Sequence, residues 1–149
     1  MLLSEILEKN KEEIITDSVN LLCCIRLKHY NSSSNVENRQ RFETLFKLTI
    51  KCIQTKSILP IIEYSEGVAK QRFEDGFDFH EVHTAFNILE ETIWKKVAEN
   101  ISSAGLSEAL ALISTILGSG KEALASTYIS LAGKNPKRSF DLSALISRN

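Results

Sequence analysis

Glycine and proline are scarce in this sequence, with six Gly and two Pro among 149 residues. In a helix interior these residues are less favourable than Ala by about 1 and about 3 kcal/mol, respectively. Their scarcity leaves few interruptions along the chain. The sequence therefore predicts long helices.

Long apolar runs are also missing. No apolar stretch reaches the roughly 18 residues that a membrane-spanning helix needs. The first nine residues lack a basic stretch followed by an unbroken apolar run, so they do not resemble a signal peptide. We expect a soluble cytoplasmic protein with no membrane partner.

The sequence has no excess of charge of either sign. Its 18 Lys and Arg residues nearly balance 19 Asp and Glu residues, which gives a formal net charge of -1. A nucleic-acid-binding surface or one that binds anionic membranes usually requires a basic patch or excess. We expect no nucleic-acid partner.

Cysteine is limited to three residues, Cys23, Cys24 and Cys52. Neighbouring side chains on a helix point about 100° apart, so Cys23 and Cys24 are not expected to form a structural disulfide. Reduced cytosolic thiols fit this pattern best. Cys24 or Cys52 could be redox-active, but no helix start or Cys-x-x-Cys motif is present to lower a thiol pKa, so buried structural cysteines are expected.

The apolar residues recur with the period of a helix, which predicts a single all-α domain of about five helices over residues 1–132. Residues 133–149 form a C-terminal tail whose weak amphipathic run, 140–146, would make a short helix or fray. The segment from Tyr30 to Asn35 is expected to be a loop. The predicted helices span a first region from about Leu2 to His29, with a polar gap at residues 9–11, and then about 42–55, 60–75, 79–101 and 107–132.

Two capping signals mark helix starts, Ser34-Asn-Val-Glu37 and Asp78-Phe-His-Glu81. The helix after Asp78 carries the clearest core-facing stripe in the chain. We expect three of its residues to be nearly fully buried: Phe86, Leu89 and Ile93.

His80 and His83 are the pair most suggestive of metal binding, because residues three apart share a helix face. Their sequence is His-Glu-Val-His, which lacks the i,i+4 spacing of the zinc-protease motif. It also lacks the paired Glu-x-x-His motifs of di-iron bundles. We expect His83 to lie at the boundary of the core and His80 on the surface, with no metal or cofactor bound. A haem or metal sensor could also use His29.

Gly118-Ser-Gly120-Lys121 shares glycines and a lysine with phosphate-binding loops. It lacks the first glycine, the following Ser or Thr and the preceding strand of such a loop. We expect these glycines to allow the close approach of another helix, or to kink their own helix. The sequence shows no Ser, His and Asp arrangement of the kind that catalyses hydrolysis, so we do not expect an enzyme.

The last long helix is apolar on several sides between Ala109 and Leu117, more than one packing stripe requires. Either the other helices surround it, or one of its faces meets a second copy of the chain. If a second copy covers one face, the expected interface residues are Ala109, Leu110, Ile113, Leu117 and Gly120; the pattern alone leaves both arrangements open.

The segment from Arg72 to Trp94 resembles the N-terminal domains of the RsbR/RsbRD group, the co-antagonists of the kinase RsbT in bacterial stressosomes. The shared features are Arg72, the Gly76-Phe77 turn and Glu81, which caps the next helix. A helical stripe is shared as well: Ala85, Phe86, Leu89 and Trp94. The rest of the chain matches in helix order and length.

The resemblance implies a globin-like fold without haem, a homodimer, and a sensory role without enzymatic activity. Members of that group continue into a STAS or kinase output domain, whereas this chain ends at Asn149, so it would be an excised domain or one that acts on a separate signalling protein. The group's phosphorylated threonines lie in the output domain, and none can be assigned here. The alternatives are a haem- or metal-binding sensor on the same fold and a helical domain that binds a small molecule.

Overall fold

The computed structural model describes residues 2–134, which form seven α-helices without any strand. The all-α class is confirmed, whereas the prediction of about five helices undercounts them. None of these helices combines the length and the apolarity needed to cross a membrane. The predicted tail run 140–146 lies outside the described residues. The helices are α1 (Leu3–Lys9), α2 (Lys11–Cys24), α3 (Lys28–Ser32), α4 (Asn35–Thr55), α5 (Leu59–Glu74), α6 (Phe79–Asn100) and α7 (Ser103–Lys134).

The first helical region divides at its polar gap. Asn10 separates α1 from α2, and its side-chain amide donates a hydrogen bond of 2.7 Å to the carbonyl oxygen of Ile6. The backbone N–H of Asn10 bonds the same carbonyl oxygen at 3.1 Å, so Asn10 closes the last turn of α1 through both its backbone and its side chain. The break that the sequence allowed at residues 9–11 is therefore present.

The predicted loop at residues 30–35 is wrong in its first half, because α3 continues to Ser32. Tyr30 anchors this short helix: it is 4% exposed, and its ring packs edge-on against Phe77 at a centroid distance of 5.0 Å. The hydroxyls of Ser32 and Ser33 also donate to the carbonyl oxygen of His29. Distant packing thus imposes a helical turn where the local composition favours a loop.

Helix α4 begins at Asn35, directly after the cap residue Ser34 that marks its predicted start, whereas the predicted range of about 42–55 covers only its apolar part. The Ser34 hydroxyl accepts a hydrogen bond of 3.1 Å from the Glu37 backbone N–H, so the predicted N-cap is present. In a complete capping box the Glu37 side chain would bond back to the Ser34 backbone N–H. In the structure the Glu37 carboxylate lies 3.5 Å from the Arg41 guanidinium group. Helix α7 begins earlier than predicted, at Ser103.

The core lies where α5 and α6 pack against α7. Phe86 is 4% exposed, and Leu89 and Ile93 are fully buried, which confirms the predicted core face of α6. The stripe on α6 therefore faces inward as its period indicates.

Helices α5 and α7 approach closely at Gly120. A Cβ atom added there would lie 3.0 Å from the Ser65 Oγ and 3.2 Å from the Ile61 Cγ1. At Gly118, by contrast, an added Cβ would meet nothing within 4 Å. The predicted close approach therefore occurs at only one of the two glycines.

Candidate functional site

The predicted interface residues of α7 lie mostly inside a single chain. Ala109 is 8% exposed, Ile113 and Leu117 are fully buried, and Gly120 is buried as well. Leu110 is half-buried and packs against the same core. Because α5 and α6 already cover this face, a contact between two chains would have to use the opposite side of α7.

That opposite side carries a regular series of exposed or half-exposed residues, which we call the outer strip. Leu112 is 41% exposed and Ile129 is 59% exposed, and they stand near its two ends. Successive members alternate in spacing between three and four residues, as in the seam of a coiled coil. The outer strip consists of Leu112, Thr115, Ser119, Glu122, Ser126 and Ile129.

The middle of the outer strip is less polar than its sequence suggests. Thr115 donates its hydroxyl hydrogen to the carbonyl oxygen of Ala111 at 2.9 Å, and Ser119 donates to the carbonyl oxygen of Thr115 at 2.8 Å. These hydroxyls have already used their donor within the helix, so covering them costs less than covering a free hydroxyl. Glu122 is the only charged member of the outer strip.

Lys121, although adjacent to Glu122 in sequence, turns toward α6. Its ammonium group lies 2.9 Å from the Asn87 Oδ1 and 3.0 Å from the Glu90 Oε1. Glu90 is largely shielded from solvent, so this pair joins the two helices in a partly buried setting. The positive charge of Lys121 is consequently directed away from the outer strip.

The two neighbouring histidines of α6 lie near the border of the core. The His83 ring stacks on Phe79 at a centroid distance of 5.2 Å, and its Nδ1 lies 3.3 Å from the Asn87 side-chain amide. His80 is half-buried. Within residues 2–134, no group of three or more His, Cys, Asp or Glu side chains is placed to hold a metal ion.

The third histidine, His29, is bound to a carboxylate. Its Nδ1 lies 2.8 Å from the Oε2 of Glu81, and its backbone N–H donates to the Oε1 of the same carboxylate, also at 2.8 Å. Glu81 further accepts a hydrogen bond of 2.9 Å from the Asp78 N–H, as a capping glutamate does. The sequence indicated the capping role of Glu81, but nothing in the local pattern indicated its contact with His29.

The glycine-rich segment from Gly118 to Lys121 lies inside α7. Its backbone N–H groups belong to a continuous helix, so it does not form the loop that cradles a phosphate. The predicted structural role, close helix approach, is the one that the geometry at Gly120 shows.

The cysteines differ in accessibility. Cys52 is 2% exposed, and burial raises the pKa of its thiol above the ordinary value. Cys23 and Cys24 are exposed near the end of α2, so the expectation of a buried Cys24 is wrong. Helix α2 ends at Cys24, and Ile25, which follows it, has an extended backbone.

Comparison of the chain with protein-family models, with curated proteins and with solved structures finds no match. The candidate site accordingly rests on the geometry of the chain itself, and the outer strip is its most regular exposed feature.

Proposed function

We propose that this chain is a non-catalytic sensory domain of the RsbR/RsbRD type, which signals through helix packing and protein–protein contacts. In this proposal the domain is a cytoplasmic bacterial homodimer with a globin-like arrangement of helices, and its partner is another signalling protein or output domain. The observation that carries the proposal is the outer strip of α7, the longest helix in the described part of the chain.

The shape of the outer strip suits pairing with a second copy. With 32 residues, α7 is about 48 Å long at 1.5 Å per residue, so a seam along it can be extensive. Small residues in the middle permit close approach, while Leu112 and Ile129 supply apolar contacts near the ends. A two-fold dimer presents the same patch from both copies, so one self-complementary strip is sufficient.

The inner face of α7 offers a route from the rest of the domain to that seam. Helix α7 packs against both α5 and α6, and at Gly120 it fits closely against Ser65. Tightly packed helices shift between discrete arrangements rather than deforming continuously. A change in the packing of α5 or α6 would therefore move α7 and alter the pairing of its outer strip.

The residues that carry the family resemblance have structural roles that support the proposal. Arg72 is buried, and Gly76 has a φ of +91°, a left-handed conformation that disfavours other residues. Glu81 joins the start of α6 to α3, and Phe86 lies in the core. These positions are used in the packing of the domain, whereas Trp94, the last residue of the shared stripe, is 38% exposed.

Light scattering over a concentration series tests the proposal directly. We expect a dimer for the natural sequence and a monomer for the double variant Leu112→Glu/Ile129→Glu, because a seam cannot readily bury two added charges per chain. Val36→Glu is the matched control, since Val36 is also an exposed apolar residue but stands in the first turn of α4.

A natural sequence that remains strictly monomeric at high micromolar concentration would overturn both the dimer and this signalling route. Persistence of the dimer in the double variant would show that the seam does not use the outer strip.

A further inference from the structure

A small, partly enclosed pocket lies between α3, α4, α5 and α6, away from the outer strip. Two arginines line it, Arg41 from α4 and Arg72 from α5, together with Tyr30, Tyr64 and Asn38. About 20 Å³ is free for the centre of a water-sized molecule. A volume of that size holds an ordered water.

Arg72 is the most unusual of these residues. It is a charged side chain only 6% exposed, yet it forms no ion pair with any carboxylate among residues 2–134. Its Nε is buried without a hydrogen-bond partner, its Nη1 lies 3.4 Å from the Gln71 Oε1, and the Tyr30 hydroxyl interacts with its guanidinium group. Buried charges are normally paired, because the loss of hydration is otherwise uncompensated.

Arg41 adds a second positive charge to the same pocket. Its guanidinium carbon and that of Arg72 lie 5.5 and 5.6 Å from the centroid of the Phe77 ring. Its one carboxylate partner within residues 2–134, Glu37, is 3.5 Å away and has a side chain that is 58% exposed. Burial lowers the pKa of Arg41 from its ordinary value, and the nearby charge of Arg72 lowers it further.

The surrounding polar groups do not neutralise this charge. Arg41 donates to the Ser33 hydroxyl and to the Asn38 Oδ1, each at 3.0 Å, and both acceptors are neutral. The nearby carboxylate of Glu81 already accepts hydrogen bonds from His29 and Asp78. The residues that line the pocket therefore include two arginines and no carboxylate, and one buried donor, the Arg72 Nε, is unused.

We propose that this pocket binds a small oxyanion, the carboxylate group of a short organic acid or inorganic phosphate, which pairs with Arg72 and Arg41. The guanidinium group presents its N–H donors in a planar fork that matches carboxylate and phosphate oxygens. The hydroxyls of Tyr30 and Tyr64 supply further polar groups at the lining of the pocket. All residues that line the pocket belong to one chain, so anion binding does not require a dimer.

The binding of an anion would connect two helices that contribute to the core. Arg41 belongs to α4, whereas Arg72 lies in the last turn of α5, the helix that packs most extensively against α7. An anion between the two arginines would draw α4 and α5 together. The pocket is thus placed where occupancy would alter helix packing.

Two-dimensional ¹H–¹⁵N NMR of the full chain tests the site in solution. Sodium phosphate and sodium acetate are titrated separately, with sodium chloride adjusted to keep the ionic strength constant. We expect saturable shifts of the Arg72 Nε–H resonance and of backbone amides in residues 38–42 and 64–72. Saturable binding of either oxyanion supports the site, and the anion that saturates it shows whether the ligand group is a phosphate or a carboxylate.

Arg72→Gln should lose the saturable shifts, because it removes the guanidinium fork. Arg39→Gln is the matched control: Arg39 is also on α4, but it pairs with Glu12 and Glu43 and does not line the pocket. If Arg72→Gln does not fold, Arg41→Gln and Tyr64→Phe are expected to weaken binding at least several-fold. Shifts of the natural sequence that stay linear in anion concentration, or that are equal in Arg72→Gln, would overturn the proposal.

Discussion

The ring Nδ1 of His29 lies 2.8 Å from the Oε2 of Glu81, across 52 residues of sequence. The other ring nitrogen faces Gly76, where an added Cβ would stand 3.3 Å from it. The ring therefore fits between the start of α6 and the turn that precedes it. This contact, together with the His29 N–H bond to the same carboxylate, holds α3 against α6.

Replacement of Glu81 by Ala should destabilise the domain substantially. Glu81 is 5% exposed and its carboxylate accepts hydrogen bonds from His29 and Asp78, so its removal leaves partly buried donors unsatisfied. We expect a loss of about 2–4 kcal/mol in the free energy of unfolding. Urea denaturation followed by circular dichroism measures this change.

Glu91→Ala is the matched control on the same helix. Glu91 lies 3.4 Å from Lys95 in an exposed i,i+4 pair, for which we expect a cost within about 0.5 kcal/mol. Similar effects of the two substitutions would show that the bonds of Glu81 add no stability beyond that of a surface charge.

The two glycines of α7 should respond in opposite directions to substitution by Ala. At Gly118 an added methyl group meets nothing, so Gly118→Ala should stabilise the protein by about 0.5–1 kcal/mol through helix propensity. At Gly120 the methyl would press on Ser65 and Ile61, and overpacking typically costs about 1–3 kcal/mol. We therefore expect Gly120→Ala to lose about 1 kcal/mol after the gain in propensity is counted.

Thermal and urea denaturation of both variants provide the comparison. Since both substitutions change the same residue type two positions apart in one helix, each serves as the control for the other. An increase in stability at Gly120 equal to that at Gly118 would mean that α5 and α7 are not in close contact at this point.

The three thiols should react with a disulfide reagent in two classes. Cys23 and Cys24 are exposed and should be modified in the native protein, whereas Cys52 should react only after denaturation. Its burial blocks access, and its raised pKa reduces the thiolate fraction at any pH below that pKa. Absorbance of the released thiol in native and denatured samples gives the two counts.

Cys52→Ser provides the control for this assignment, because it should leave the native count at two and lower the denatured count to two. Rapid modification of a third thiol in the folded natural protein would show that the region around Cys52 opens readily.

Much of the helical pattern was accessible from the sequence because helices are governed by local spacing. The stripe of α6, the N-cap at Ser34 and the polar gap at Asn10 each depend on residues within one or two turns of one another. These features all appear in the structure. The start of α4 follows the Ser34 cap, whereas α7 starts at Ser103, four residues before the predicted residue 107.

The errors occurred where distant residues determine the outcome. Local composition predicted a loop at Tyr30, but contact with Phe77 stabilises a helical turn there. Apolar residues on several sides of α7 also left open whether other helices or a second chain cover each face. Packing against α5 and α6 placed Ile113 and Leu117 in the core and left the outer strip exposed.

The sequence by itself determined the all-α class, the core face of α6 and the capping residues, because hydrophobic period and capping bonds act over three to seven residues. Only the tertiary structure decided that His29 meets Glu81, that one of two glycines is tightly packed, and that Arg41 and Arg72 share a pocket. Those relationships join different helices. They depend on how whole helices fit together, and no local spacing in the chain specifies that fit.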